Sequence, residues 1–363
     1  MREPRSKRAD KGVSVAPADG VETAREALLG YYAAHARDLP WRRQRDPWAI
    51  WVSEVMLQQT RVETVIPYWE RFLARFPTAE AMAGASEAEV LGMWAGLGYY
   101  RRARLLHAGA RAVTAEHGGK VPAGAQALRA LPGVGAYTAG AIGSIAFGER
   151  VPLVDGNVER VLSRLHGVDG DPQTGPVRAR LWALAARYAD HPDPGAVNQS
   201  LMELGATVCL PQRPQCLVCP VRVGCLAAAS GTPERWPQKA PPTPQRPERW
   251  SALLPQRDGQ VWLVPSVAGR WSGMLVPVWT EGDPGDWSRV FAASGRLEGL
   301  RPLGQVVHVL THARMAITVT AATLPAGLHP EGPGRFVHPE ALGALPVPKV
   351  TLRVLGLLAA PRP

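Results

Sequence analysis

Apolar residues recur at helical spacing through the first two thirds of the chain. Val21, Ala24, Leu28 and Tyr32 form one stripe and predict a helix over 21–34. The segment Ile50-Trp51-Val52-Ser53-Glu54-Val55-Met56-Leu57-Gln58-Gln59-Thr60 is helical in pattern but holds a carboxylate, Glu54, among apolar neighbours. Helices are predicted over 64–75, 87–94 and 101–116, the last with Leu105, Ala108, Ala112 and Val113 on one face. Val158, Val161, Leu162 and Leu165 mark a further helix, and Val197, Leu201, Leu204 and Val208 another over 196–208. Residues up to 230 therefore read as all helical with short loops and no internal repeat.

Leu131-Pro132-Gly133-Val134-Gly135 breaks that pattern. Pro132 cannot donate a hydrogen bond and two glycines invite unusual backbone angles, so the segment joins one helix to the next. The small-residue run from Thr138 to Ala146 starts a helix whose first amides are free to face an anion such as phosphate.

Past residue 231 the period changes. Prolines at 233, 237, 241, 242, 244 and 247, with little apolar content, read as an extended linker over 231–249. Strands are then predicted at Val261-Trp262-Leu263-Val264, at 306–310 and at 314–320, where Met315, Ile317 and Val319 alternate with smaller or polar residues. Residues 250–363 are expected to form a second, α+β domain.

Composition changes this picture in one respect. The chain has 363 residues, 41 Lys and Arg against 31 Asp and Glu, a net charge of +10 and a pI near 9.9, which suits a polyanionic partner. Arg2, Arg5, Lys7, Arg8 and Lys11 make residues 1–20 a disordered basic arm. No apolar run reaches the ~18 residues of a membrane span and the first 20 residues lack the apolar centre of a signal peptide. A soluble, cytoplasmic protein with no membrane partner is expected.

Candidate chemistry gathers at four places. Glu54 needs a reason to sit in an apolar stretch, since buried acids cluster at functional sites. Gly96-Leu97-Gly98-Tyr99-Tyr100-Arg101-Arg102 offers aromatics for stacking on bases beside arginines for phosphates. Asp155, just before Asn157, reads on its own as a helix N-cap. All four cysteines fall in one short loop, Cys209, Cys216, Cys219 and Cys225, a concentration that points to a metal rather than to disulfides. Only Cys216 and Cys219 form a close pair, so an iron–sulfur cluster is favoured over zinc, which remains open from spacing alone.

Together, Leu131-Pro132-Gly133-Val134-Gly135, Val154-Asp155-Gly156-Asn157 and the cysteine loop resemble the helix-hairpin-helix DNA glycosylases of the endonuclease III superfamily. Within it, Trp51 to Thr60 and Gly96 to Tyr100 look like the adenine DNA glycosylases of the MutY type. The resemblance covers about residues 21–230. It implies a mainly α catalytic region: a six-helix bundle over about 39–148, and a cluster lobe made of 21–38 plus 149–230. DNA would lie across the cleft between them.

The cysteine spacing matches that superfamily's 4Fe-4S loop. The implied reaction is excision of adenine mispaired with 8-oxoguanine in double-stranded DNA, by a monomer. A non-catalytic iron–sulfur DNA-binding protein is the alternative.

By resemblance, Glu54 is the acid that protonates adenine N7 and Asp155 the carboxylate facing the sugar cation. Tyr137 and Asn157 orient the sugar, the carboxylates or the water. Gln59 and Tyr99 fill the gap left by the flipped base, Thr60 meets the opposite strand, and Gly133 and Gly135 grip the DNA backbone. Trp41, Arg42 and Gln199 line the adenine pocket. Tyr137 stands where lyase members carry a lysine, which implies a monofunctional enzyme. Gly269 to Leu275 resembles the family's Nudix-like C-terminal domain. Its lesion-reading loop, Phe-Ser-His, corresponds to Leu310-Thr311-His312 here, so Thr311 and His312 are the expected lesion contacts.

Overall fold

The computed structural model describes residues 18–241, 244–267, 269–291 and 297–359; the expected basic arm lies outside them as far as residue 17. Helices run in chain order as α1 (Ala18–His35), α2 (Pro47–Leu57), α3 (Val62–Arg75), α4 (Ala79–Ala83), α5 (Glu87–Met93) and α6 (Arg101–His117). Then come α7 (Ala125–Ala130), α8 (Ala136–Phe147), α9 (Gly156–Leu165), α10 (Gly175–Ala189), α11 (Pro194–Thr207) and α12 (Leu226–Ala229). The strands are β1 (Arg246–Arg257), β2 (Gln260–Pro265), β3 (Leu275–Val276), β4 (Val278–Glu281), β5 (Glu298–Val309), β6 (Ala313–Thr323) and β7 (Arg335–Val337), followed by α13 (Lys349–Gly356).

The chain divides into two compact units. The first takes residues up to Pro47 with 123–129 and 135–240; the second takes 48–122, 130–134 and 241 onward. In the first, α1, α8, α9, α10 and α11 bury one core built from Leu28, Ala141, Val158, Val161, Leu162, Leu181, Val197, Leu201 and Leu204. Leu28, Val158, Val161, Leu162, Val197, Leu201 and Leu204 are positions that the helical stripes select, because burying one face of each helix is what stabilises it; Ala141 and Leu181, the latter on a helix the pattern did not predict, join them.

Part of the Pro-rich stretch read as an extended linker is strapped onto this first unit. Trp236 Nε1 donates to Asp169 at 3.0 Å, Gly170 N donates to the Gln238 side chain at 3.1 Å, and Ala240 N donates to Asp171 at 3.1 Å. Low apolar content does not prevent a segment from being held through its polar groups.

The second unit holds α2–α6 and the sheet. In α2 every residue from Trp48 to Met56 is buried, Glu54 included. The sheet runs β3-β2-β1-β6-β5, with β4 also on β1 and β7 on β2; β1 and β6 are parallel and the other pairs antiparallel. Strand β1 begins at Arg246, inside the stretch read as linker, with Pro247 at its second position, where a missing donor is best tolerated. One sheet face packs with α13 through Met315, Ile317, Val350 and Val354, and the other buries Leu253, Trp262 and Trp287.

An ion triad centred on the buried Glu203 fixes the segment after α1. Glu203 of α11, 1% exposed, accepts from Arg37 Nε at 2.8 Å and from Arg42 Nη2 at 2.7 Å. Burial alone would push this carboxyl up; the bonds from Arg37 and Arg42 outweigh that and hold it at about 2, against an ordinary 4.5. The depressed pKa contributes about 3 kcal/mol, fully present above pH 4.5 and lost as the pH falls towards 2. Glu203→Gln should lower stability by about that amount at pH 7 and flatten the acid loss between pH 4.5 and 2, read by urea unfolding across that range.

Candidate active site

Asp155 ends the turn before α9 as its N-cap. Its Oδ1 accepts from the amides of Asn157 at 3.0 Å and Val158 at 2.7 Å, and its Oδ2 accepts from Asn157 Nδ2 at 2.8 Å. Burial pushes the carboxyl above its ordinary range, opposed by these three bonds and by the charge of Arg160. Arg160, one turn along α9, donates to Asn157 Oδ1 at 2.9 Å, to Gly205 O at 2.6 Å and to Cys209 O at 2.7 Å. A cation thus holds the amide that holds the carboxylate. Helix α11 can approach because residue 205 is glycine: a Cβ there would lie 2.6 Å from that of Asn157.

The other expected residues of this unit surround the same helices. Tyr137 stands in the first turn of α8, its hydroxyl 3.7 Å from Met202 Sδ on α11. Gln199 lies on α11 and bonds back to Gly195 O at 3.3 Å. Trp41 is buried in a single helical turn, and Arg42 is committed to Glu203 while stacking over Tyr32 at 5.3 Å. Gly135 caps α8 without a side-chain bond, so the helix opens on free amides with no acid in its first turn. Gly133, which belongs to the second unit, takes φ +78°, a left-handed value that a side chain resists.

The four cysteines line one pocket with Arg164, Leu204, Val208 and Val221. Arg164 Nη1 lies 3.4 Å from Cys209 Sγ and the same guanidinium donates to Leu210 O and Pro211 O. Burial pushes the Cys219 thiol up to about 11, and Cys216 and Cys225 also rise. Among the described residues no three His, Cys, Asp or Glu side chains gather closely enough to hold a single metal ion.

In the second unit Glu54 is 5% exposed between Val52, Val55 and Met56. Helix α2 ends at Leu57, earlier than its pattern predicts, because Gln59 turns left-handed with φ +57°. Tyr99 does the same at φ +50° and is 50% exposed. Left-handed backbone at a non-glycine residue costs on the order of 1–3 kcal/mol and collects at functional sites. The two side chains expected to enter DNA are therefore both presented on strained, exposed turns.

Sequence reasoning placed Arg102 among phosphate contacts, and the structure corrects this. Its guanidinium points inward to Val55 O, Met56 O and the Thr60 hydroxyl. The misreading arises because Arg101 and Arg102 are adjacent in sequence, while only Arg101 is exposed on the first turn of α6. Thr311 and His312 are exposed at the tip of the β5–β6 hairpin, where His312 O accepts from Arg246 N at 3.0 Å. Arg160 and Glu203 were not anticipated; Glu203 carried the same signal as Glu54, a carboxylate beside apolar stripe residues.

Residues 52–187 match the family described as HhH-GPD superfamily base excision DNA repair protein. The adenine DNA glycosylase of Homo sapiens is 39% identical over 369 residues, an alignment covering 84% of this chain and 67% of that protein. The chain belongs to the adenine DNA glycosylase family. The Rattus norvegicus relative of the same name is 38% identical over 366 residues, covering 84% of this chain and 71% of its own length. A solved thermostable thymine-DNA glycosylase shares the fold of the helical region, with a TM-score of 0.53 and 28% identity over 58% of this chain and 98% of that one. The glycosylase is thus an enzyme of DNA base excision repair, with a helix-hairpin-helix catalytic region followed by a mixed-sheet domain.

The cap role of Asp155 is separable from any chemical one. Asn caps a helix about as well as Asp, whereas Ala leaves two α9 amides unbonded. Asp155→Ala should cost about 1–2 kcal/mol in urea unfolding, and Asp155→Asn less than half of that.

Proposed function

We propose that the enzyme removes adenine mispaired with 8-oxoguanine from double-stranded DNA, acting as a monofunctional glycosylase and as a monomer. The observation that carries this reading is a buried carboxyl, Glu54, together with a half-buried one, Asp155. One lies inside an apolar helix and the other at a helix N-terminus, where two amides and Asn157 bond to it. Two carboxyls in unlike surroundings suit a glycosidase division of labour.

Adenine leaves poorly as an anion, so Glu54 protonates N7 while the N-glycosidic bond breaks. The sugar becomes oxocarbenium-like, and Asp155 stabilises or transiently captures that cation before water completes the hydrolysis. Asn157 and Tyr137 orient the sugar, the carboxylates or the water. The target must first leave the duplex, at a cost of a few kcal/mol. Gln59 and Tyr99 take its place, with Thr60 on the opposite strand. Gly133, Gly135 and the free amides of α8 hold backbone phosphate. Trp41, Arg42 and Gln199 bound the adenine pocket, an amide being able to pair bidentately with that base. The sheet domain, read as Nudix-like, inspects the opposite base through Thr311 and His312.

The cysteine pocket fits a 4Fe-4S cluster: all four thiols line one cavity, and Arg164 faces one sulfur. Cys209, Cys216, Cys219 and Cys225 would hold the cluster as thiolates, their protons leaving on binding. Held by these residues, it would fix the loop that bears Arg213 and Arg222. Purified protein should be yellow-brown, with visible absorption lost in a Cys216→Ser, Cys219→Ser variant; a colourless protein holding one zinc would overturn the cluster.

Labelled duplex carrying adenine opposite 8-oxoguanine, followed by alkali, tests the function. Wild type should cleave, and Glu54→Gln and Asp155→Asn should each lower the single-turnover rate by about 10³-fold. Thr311→Ala with His312→Ala should narrow the preference over undamaged guanine. No cleavage by wild type, or efficient borohydride trapping of a covalent DNA complex, would refute this reading.

A further inference from the structure

Arg102 is a buried cation that the mechanism above does not use. It is 9% exposed, and among the described residues no carboxylate pairs with it. Its Nη1 donates to Val55 O at 2.6 Å and to Met56 O at 2.8 Å. Those carbonyls belong to the last turn of α2, whose acceptors have no helical partner. Its Nη2 donates to Thr60 Oγ1 at 3.1 Å and to Gly98 O at 3.3 Å. The guanidinium plane lies 5.4 Å from the centroids of both the Tyr99 and Trp94 rings.

These four acceptors flank the two strained residues. Val55, Met56 and Thr60 bracket Gln59, and Gly98 precedes Tyr99, over whose ring the guanidinium sits. We infer that Arg102 is the positioning residue that holds Gln59 and Tyr99 together in their raised, left-handed turns, ready to enter the duplex. This rests on the reading that those two side chains fill the gap left by the flipped adenine.

A planar fork with five donors can satisfy four acceptors on two separate turns at once, which the single ammonium of lysine cannot. Desolvation brings the guanidinium down to about 10, so it stays charged at neutral pH. The charge also faces the negative end of the α2 dipole. The arrangement joins both inserted side chains to the helix that carries Glu54, so flipping and acid catalysis share one support.

The test compares Arg102→Met and Arg102→Lys with Tyr99→Ala on two duplexes. In one, the target adenine is mispaired with 8-oxoguanine; in the other it faces an abasic site and needs little unstacking. Flipping is followed by the fluorescence of 2-aminopurine placed at the target, chemistry by single-turnover cleavage, and folding by thermal melting. Arg102→Met should lose roughly 100-fold on the mispair yet stay within about 5-fold on the unpaired adenine, with its fluorescence rise diminished. Arg102→Lys should fall between, roughly 10-fold down on the mispair with an unchanged melting temperature. Millimolar guanidinium chloride should restore part of the Arg102→Met flipping signal.

Equal losses on both duplexes by folded Arg102→Lys would show a merely structural role and overturn the inference, as would no loss. If Tyr99→Ala flips the base as wild type does, the insertion reading itself fails. If Tyr99→Ala is impaired and both Arg102 variants are not, only the positioning role fails.

Discussion

A half-buried carboxylate at a helix N-terminus is the constraint around which the first unit is arranged. Asp155 can remain where water is scarce only because two α9 amides and the Asn157 side chain bond to it. Asn157 must then present its amide nitrogen to Asp155, and Arg160 ensures this by taking its oxygen. Arg160 in turn uses carbonyls at the end of α11 and at Cys209, so the cysteine loop is one bond away from the network. Each partner is placed by the need of the one before it. Gly205 completes the set, since any side chain would push α11 away from Asn157.

The second unit presents the reverse economy of burial. Glu54 and Arg102 are inside, while Gln59 and Tyr99 are held outside in backbone conformations that disfavour them. Strain of that kind persists only where surrounding structure over-determines it. Here the over-determination is visible: α2, buried from Trp48 to Met56, lies below, and a forked cation ties its last carbonyls to the adjacent turn. A flexible loop could present the same residues, but it would lose the ordering entropy at the moment of binding.

Much of this was legible from the order of residues, for physical reasons that differ by element. The Leu131 turn could be read because proline and glycine constrain the backbone wherever they occur. The cysteines could be read as one group because all four fall in one short stretch, and they line one pocket. Glu54 was legible because a carboxylate among Val52, Val55 and Met56 violates the helical pattern. What could not be read depends on distance in sequence. Arg102 meets residues 42–47 positions away, Arg160 meets Cys209, and Glu203 meets Arg37 and Arg42. Arginines buried by such bonds carry no local mark, since the same residue type on the same helix is usually solvated. Composition misled over 231–240, where proline content suggested a free linker and side-chain bonds to Asp169 and Asp171 hold it down.

The start of α6 shows how one short stretch can serve several ends. Tyr99 precedes the helix and turns outward. Tyr100 is buried, which pushes its phenol above the ordinary range, and it donates to Val347 O in the sheet domain at 3.3 Å. Arg102 and Arg104 are two residues apart, about 200° around the helix, so they must face nearly opposite ways. Arg102 reaches α2, and Arg104 reaches Ser272 O of the sheet domain while pairing with Glu87 at 2.8 Å. The backbone that raises Tyr99 is thus braced from below by the catalytic bundle and from the side by the domain read as inspecting the lesion. Because Tyr99 has only one residue between it and the helix, a shift of either brace is passed to it with little slack.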